Sequence, residues 1–404
     1  MRGAAMKGDA QAQVTLADMY DQGYGLARDM GLAAQWYLQA ARQGSVQAQA
    51  IIGIKYLKGI GVDQDFKQAF QWLAEAAGRD NPDALAQIAW CYQTGLGLKR
   101  DLAKAFEYYQ RAARLSHANS RYNLAYMYAN GLGTEKDLDK ALLWYRLAAE
   151  QGHVKSQINL GLMFVMGTGT KRDDIEAVEW FRKAAEQDYP KGQYNLGRMY
   201  ATGGGVPNDL QEAARWYGLA ADQGYHRAQY DLGMLYLHGR GVEQDYTTAL
   251  NWFLKASVNN YPKANYQVGR IYEEGLGREA DPREAADWYL EAANHNFDRA
   301  LYRLGNLYLA GRGVEQNHKT AYQCYLKAAE QGFQPAQYRL GMMYRQGMGV
   351  RKNLVHSYAW LYVAAESNHL IALRALNNVR ERLNHLQVIE ADNLGKKYRL
   401  EYGV

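Results

Sequence analysis

Basic and aromatic side chains recur at a fixed spacing in the second half of this chain. Lysine or arginine stands at five positions spaced 36 residues apart, and a tyrosine recurs three residues further along. The basic residues are Lys155, Lys191, Arg227, Lys263 and Arg299, and the tyrosines are Tyr194, Tyr230, Tyr266, Tyr302 and Tyr338. Cationic groups form charge-assisted hydrogen bonds with carboxylates, and tyrosine offers a large contact area with few rotamers to freeze. The spacing therefore predicts a surface that binds an anionic ligand.

Further charged residues fall on the same surface when the segments are drawn as helices. The additional basic residues are Arg198, Arg270, Arg303 and Arg339, and the opposing acids are Asp231 and Glu274. Nine positive and two negative charges give +7, which exceeds the +5 of the whole chain. His238 falls on this surface as a polar contact. Positive charge in a first helical turn opposes the helix dipole by ~0.3–1 kcal/mol, so helix stability does not explain the lysine or arginine at the five positions spaced 36 residues apart.

The corresponding surface of the earlier segments is nearly neutral and apolar. Its residues are Ile51, Ile54, Trp90, Tyr122, Tyr126, Ile158, Leu162 and Met166. A partner segment that binds both surfaces would carry acidic residues in one part and apolar residues in the other. A second interpretation stays open: the tyrosines pack only against neighbouring helices, and the charges only keep the surface hydrated.

Motifs for catalysis or metal binding are absent from the sequence. The nine histidines form no His-Glu-x-x-His pattern, and the two cysteines form no Cys-x-x-Cys pair. The glycine-rich turns lack the Gly-Lys-Ser/Thr ending of a phosphate loop. We therefore expect no metal, no cofactor, no small-molecule substrate and no enzymatic activity.

The two cysteines stand where other repeats carry large apolar residues. Cys91 corresponds to Met127 and Met163, and Cys324 corresponds to Trp288 and Trp360. Both are predicted to be core residues without a disulfide between them. No run of residues approaches the ~18 apolar residues of a membrane span, and the mild net charge argues against a general nucleic-acid binder.

A 36-residue repeat positions all of these residues. A Gly-x-Gly pair recurs ten times without insertion or deletion, from Gly23 and Gly25 to Gly347 and Gly349. Each copy predicts two helices. The first ends at the glycine pair, and the second starts after an aspartate such as Asp209, which has the right side chain for an N-cap. No single hairpin buries its apolar stripe, so the copies must stack.

The repeat pattern "AQYxLGxMYxxGxGVxxDxxxAxxWYxxAAxQG" resembles the Sel-one-like repeats, which are related to tetratricopeptide repeats. The resemblance covers about residues 4 to 366. It implies an all-α fold, a right-handed superhelical α/α solenoid of ten helix-turn-helix repeats with a C-terminal helical cap. It also implies that the exposed surface of the first helices lines a concave groove. Members of this family are scaffolds and adaptors and are not typically enzymes.

The two ends depart from the repeat. Residues 1–8 match only the tail of a second helix, residues 9–366 form the ten repeats, and residues 367–404 fit two capping helices. A start inside a repeat predicts further natural sequence before Met1, which could carry an export signal. An exported or periplasmic location and a cytoplasmic one both stay open.

We therefore expect a non-enzymatic scaffold that binds an extended, partly acidic protein segment. The alternative is a binder of an anionic polymer, either an acidic glycan or single-stranded nucleic acid, although the apolar first half makes nucleic acid a poor fit. Self-association is the third possibility.

Overall fold

The computed structural model describes residues 2–365 and 370–403, which contain 23 helices and no strand. The helices are α1 (Arg2–Met6), α2 (Ala10–Gln22), α3 (Met30–Arg42), α4 (Val46–Lys58), α5 (Phe66–Gly78), α6 (Pro82–Thr94), α7 (Leu102–Arg114), α8 (Ala118–Asn130), α9 (Leu138–Glu150), α10 (Val154–Met166), α11 (Asp174–Glu186), α12 (Pro190–Thr202), α13 (Leu210–Asp222), α14 (His226–His238), α15 (Tyr246–Ser257), α16 (Pro262–Glu274), α17 (Pro282–Asn294), α18 (Asp298–Ala310), α19 (His318–Glu330), α20 (Gln334–Gln346), α21 (Leu354–Ala365), α22 (Leu370–Arg380) and α23 (His385–Tyr402). The all-α prediction is confirmed.

The chain divides by its contacts into two compact units, residues 1–207 and residues 208–404. The first unit holds helices up to α12, and the second holds α13 to α23. Even-numbered helices from α2 to α20 are the first helices of the repeats, and the odd-numbered helices that follow them are the second helices. Within each unit, a second helix packs against its own first helix and against the first helix of the next repeat. This consecutive packing is the arrangement expected of a solenoid.

Aspartate side chains begin the second helices, as the sequence predicts. The Asp101 carboxylate accepts a hydrogen bond from the backbone N–H of Lys104 at 3.0 Å, and the Asp245 carboxylate accepts one from Thr248 at 3.0 Å. These contacts satisfy backbone donors that have no partner within the helix. The recurring aspartates thus set the starting residue of eight second helices, and Asn317 and Asn353 have the same role before α19 and α21.

The two glycines of each pair have different structural roles. Gly203 adopts φ 73°, and its N–H bonds to the Met199 carbonyl, which ends α12 in the left-handed conformation. Gly205 has φ 71°, and a Cβ added there would lie 2.2 Å from the carbonyl oxygen of Asp174. The loop therefore packs directly on the start of the preceding second helix, which leaves no room for a side chain.

Both ends of the chain pack on their neighbouring repeats. Gln13 donates a hydrogen bond to the Ala5 carbonyl of α1 at 3.1 Å, and Gln49 makes the same contact with Ala41 of α3 at 3.3 Å. Helix α1 thus contacts α2 in the way that a second helix contacts the next first helix.

At the other end, α22 and α23 pack against α21, which confirms the two helices expected there. The Tyr358 hydroxyl donates to Asp392 at 2.6 Å, and the rings of Trp360 and Tyr398 lie 4.5 Å apart. The predicted boundary between residues 366 and 367 lies outside the described residues.

Candidate functional site

Three exposed basic residues of the second unit occupy one repeated position. Arg227, Lys263 and Arg299 are each the second residue of a first helix, namely α14, α16 and α18. In the part of the chain that the structure describes, none of these side chains forms an ion pair. They project from the positive end of the helix dipole, where a cation gains nothing from its own helix. We call these three residues the basic row.

The tyrosines beside the basic row pack against their own and the next repeat. Tyr230 lies with its ring 5.7 Å from Phe253 of its own second helix and 5.4 Å from Tyr261 before the next first helix. Tyr266 and Tyr302 make the same two contacts: Tyr266 with Tyr289 and Phe297, Tyr302 with Tyr325 and Phe333. All three are half-buried. These tyrosines have a structural role, and each also leaves part of its surface accessible.

Arg270 and Arg303 differ from the basic row because acidic residues pair with them. Arg270 Nη2 lies 2.9 Å from Glu274 Oε2, and Arg303 Nη1 lies 3.3 Å from Glu273 Oε2. The Arg270 hydrogen bond holds the pKa of Glu274 below its usual value. Glu274 thus opposes Arg270 as expected, and Arg303 is paired as well, so neither arginine carries the unpaired charge of the basic row.

Glu273 was missing from the set drawn from the sequence. The Tyr289 hydroxyl also donates to its carboxylate at 2.7 Å, so Glu273 joins two repeats. The charge pattern could have indicated it, since a glutamate next to Glu274 is unusual beside so many basic residues.

The remaining predicted residues of the second unit are Tyr338, Arg339 and His238. Arg339 and Tyr338 are half-buried, and the Arg339 guanidinium interacts with the Tyr302 hydroxyl. His238 is exposed at the last position of α14. Arg339 thus supports the tyrosine packing, whereas His238 is accessible.

In the first unit, Lys155 and Lys191 are exposed beside a depression of about 230 Å³. Tyr122, Ile158 and Tyr189 also line this depression. Arg198 is exposed, with its guanidinium 6.0 Å from the centre of the Tyr194 ring.

Two residues predicted for the binding surface are interior residues instead. Ile158 is 2% exposed and Tyr194 is 9% exposed. Helical position alone placed them on the exposed side of α10 and α12, but both side chains are buried in the folded protein. Ile158 contributes at most the floor of the depression, and Tyr194 contributes little accessible surface.

The apolar surface of the first unit is partly exposed. Trp90 and Tyr126 are about two-fifths exposed, and Met166 is the most accessible of the set at 65%. The half-buried members are Ile51, Ile54, Tyr122 and Leu162. Ile54 and Trp90 line a depression of about 320 Å³ together with the polar side chains of His117 and Asn123. This combination of an apolar wall and a polar edge suits a peptide side chain.

A buried ion pair near the start of the chain was not anticipated. Lys55 is 5% exposed at a position that Met127 and Cys91 fill in later repeats, and it pairs with Asp21 of the preceding repeat. Its ammonium also lies 5.6 Å from the centre of the Tyr37 ring. The sequence did contain a signal for this ion pair, because Lys55 is a charged residue at a position that later repeats fill with apolar residues.

Both cysteines are buried and free, in agreement with their predicted core positions. Burial raises the pKa of each thiol to about 11, which keeps it protonated at neutral pH. Residues 2–365 and 370–403 contain no group of three His, Cys, Asp or Glu side chains placed to hold a metal ion. No helix within these ranges has the length and apolar character needed to cross a membrane.

Comparison with known proteins gives consistent results. The family model for the Sel1 repeat matches ten consecutive segments: residues 10–45, 46–81, 82–117, 118–153, 154–189, 190–225, 226–258, 262–297, 298–333 and 334–369. A search among curated proteins gave no significant match.

Two solved bacterial structures are similar over most of the chain. One is c5321, described as a protective antigen present in uropathogenic Escherichia coli strains and displaying an SLR fold. It is 29% identical, covers 100% of this chain and 94% of its own, and has a TM-score of 0.65. The other is a Sel1 repeat protein from Oxalobacter formigenes, which is 31% identical, covers 76% of this chain and 88% of its own, and has a TM-score of 0.58.

Ten matched repeats and ten packed helix pairs lead to the same conclusion. Repeats of this type, like the related tetratricopeptide repeats, generally build protein-interaction scaffolds and are typically not catalytic. The chain belongs to the Sel1 repeat family.

Proposed function

We propose that this protein is a non-catalytic scaffold that binds an extended segment of another protein on the exposed side of its first helices. Acidic residues of that segment bind the basic row of the second unit. Apolar residues bind the surface around Trp90, Tyr126 and Met166 in the first unit. The observation that carries the proposal is the basic row itself: three exposed cations at one repeated position, whose side chains form no ion pair within the described residues.

The energetics favour a carboxylate-bearing partner at this row. A cation in the first helical turn is disfavoured by its own helix, and no ion pair within the described residues offsets that cost. A carboxylate from outside supplies a charge-assisted hydrogen bond. The half-buried tyrosines beside each cation are already held by their ring contacts, so little side-chain entropy is lost on binding.

The apolar surface of the first unit contributes by a different effect. When a partner covers Trp90, Tyr126 and Met166, each Å² of apolar surface removed from water contributes roughly 25 cal/mol to the binding free energy. The methionine side chain also adapts to irregular partner shapes. Aromatic residues of this kind often dominate the energy of protein interfaces. The two units thus differ in the chemistry that they offer.

Charge reversal of the basic row tests the proposal. The variant Arg227→Glu, Lys263→Glu, Arg299→Glu is compared with the wild type for capture of proteins from a native lysate, quantified by mass spectrometry. The control variant reverses Arg283, Arg312 and Lys319, which are also exposed and lie in the same unit. Both variants change the net charge by the same amount, so general electrostatic effects cancel.

We expect the basic-row variant to lose captured proteins that the control variant retains. A photo-reactive residue placed at Tyr266 should then cross-link to segments rich in aspartate and glutamate. Equal capture by both variants would show that the basic row is only a hydrated surface.

A further inference from the structure

Cys324 occupies a position that is filled by tryptophan in most repeats of this chain. Eight of the ten copies have tryptophan there, and Tyr108 stands in a ninth. The eight residues are Trp36, Trp72, Trp144, Trp180, Trp216, Trp252, Trp288 and Trp360. A thiol replaces an indole at this one position in the ninth repeat.

The indole of the other repeats fills a defined space. Trp288 packs in the same apolar cluster as Leu254 of the preceding second helix and Val268 of its own first helix. Trp360 does the same with Leu326 and Leu340.

The pattern also holds in the first unit, where Trp72 shares a cluster with Leu38 and Ile52. The indole therefore lies between consecutive second helices and covers the first helix beneath them.

The equivalent space beside Cys324 is a cavity that opens at the protein surface, where Leu290 is 44% exposed. The residues that correspond to Leu254 and Val268, 36 positions further on, are Leu290 and Leu304, and both line it. Its volume is about 500 Å³, and Leu301 and Leu326 complete its apolar wall. Cys324 and Leu304 are 9% and 3% exposed, so the cavity floor is a buried part of the core.

The chemistry of the cavity indicates what would occupy it. Natural small-molecule sites span ~300–1,000 Å³, with apolar walls and a few polar groups. Here the polar groups are Asn294, Gln323, Lys327 and Glu330 at the edge. The same chain places an indole ring in the equivalent space at Trp72, Trp288 and Trp360.

We propose that this cavity is a binding site for a small, free aromatic molecule of about the size of indole. The site lies among α17, α18 and α19, and it does not depend on the basic row or on the proposed protein partner. The ring would lie against Leu301 and Leu304, with Leu290 and Leu326 at either side.

Titration with indole, followed by methyl NMR of the whole protein, tests this site. We expect saturable shifts confined to the methyl groups of Leu290, Leu301, Leu304 and Leu326. Cys324→Ala keeps the cavity open and should keep indole binding, which separates the cavity from the reactivity of the thiol. Cys324→Trp restores the usual residue and should abolish binding, while the melting temperature stays the same or rises.

A gain of binding provides a second test. Trp288→Cys should open an equivalent cavity in the eighth repeat and raise the number of bound indoles from one to two. If Cys324→Trp does not fold, Cys324→Leu serves as the alternative variant, because leucine partly fills the original cavity. It should weaken indole binding.

Three results would overturn the proposal. The first is the absence of saturable indole binding by the wild-type protein. The second is unchanged binding by a folded variant with the cavity filled. The third is binding of N-acetyltryptophanamide but not of indole, because the site would then take a tryptophan side chain of another protein.

Discussion

His153 is an N-cap whose function depends on its protonation state. Its Nδ1 accepts a hydrogen bond from the Ser156 backbone N–H at 3.3 Å, which only the neutral ring can do. Burial, with Lys155 and His117 nearby, lowers its pKa. The unfolded chain then binds the proton more readily than the folded chain. This capping contribution is therefore fully present above the unfolded pKa of ~6.5 and decreases as the pH falls below it.

We expect His153→Asn to reduce the loss of stability on acidification. Asparagine is an equally good N-cap but does not titrate, and Asn81 already caps α6 in this way. The free energy of unfolding, measured with urea, should fall between pH 7.5 and pH 5.5 in the wild type by about 1 kcal/mol more than it falls in the variant. The control is the exposed His238→Asn. If both variants showed the same pH dependence as wild type, the capping explanation would be wrong.

The buried pair of Lys55 and Asp21 makes a second prediction at the residue scale. Lys55→Met places the apolar residue of other repeats at this position but leaves Asp21 without its partner. We expect a loss of about 1–3 kcal/mol in the free energy of unfolding. The double variant Asp21→Leu with Lys55→Met removes both charges, and it should unfold within ~1 kcal/mol of wild type.

Chemical denaturation of the single and double variants measures this coupling. If the double variant lost as much free energy of unfolding as the two single variants together, the coupling would be contradicted, because the two side chains would then contribute independently.

At the scale of the elements, the glycine turns are required by close packing as well as by backbone conformation. Gly152 and Gly205 both have positive φ, 86° and 71°. A Cβ at Gly152 meets nothing within 4 Å, whereas one at Gly205 would collide with the Asp174 backbone. Gly152→Ala thus isolates the conformational cost of ~1–2 kcal/mol, and Gly205→Ala adds a steric cost to it.

We expect Gly205→Ala to destabilise the protein clearly more than Gly152→Ala, as measured by urea unfolding of the two variants. Similar losses would mean that the loop after α12 moves away from α11 at no cost.

The caps and helix ends were predictable from the sequence because they depend on residues three or four positions apart. Asp101 and Asp245 cap the helices that they precede, and Gly203 ends α12 where expected. The candidate site was less predictable. Helical position identified the exposed basic row, but it also placed Ile158 and Tyr194, which are buried, on an accessible surface.

At the scale of the whole molecule, the two units offer different surfaces, and their binding should differ in salt dependence. The basic row is exposed, so its contribution is screened as the Debye length falls to ~8 Å at 0.15 M ionic strength. The contribution of the apolar surface does not require charge. We expect affinity for the captured partner to fall with salt and then to level off.

Isothermal titration of that partner across a salt series measures this dependence. A linear fall of log affinity with log salt, without a plateau, would indicate an anionic polymer as the ligand instead. The basic-row variant carries three glutamates that repel the acidic segment, so its affinity should lie below the plateau at low salt and approach it as salt screens the repulsion.

The sequence by itself determined the repeat, its two helices, their caps and the positions that alternate between core and surface. All of these depend on short-range geometry repeated every 36 residues. The tertiary structure alone decided which charges are neutralised and which spaces are left open. Arg303 meets Glu273 across 30 residues of chain, and the space beside Cys324 is bounded by three helices. Such contacts depend on how neighbouring repeats fill the volume between them, and the local pattern of one repeat carries no record of its neighbour's side chains.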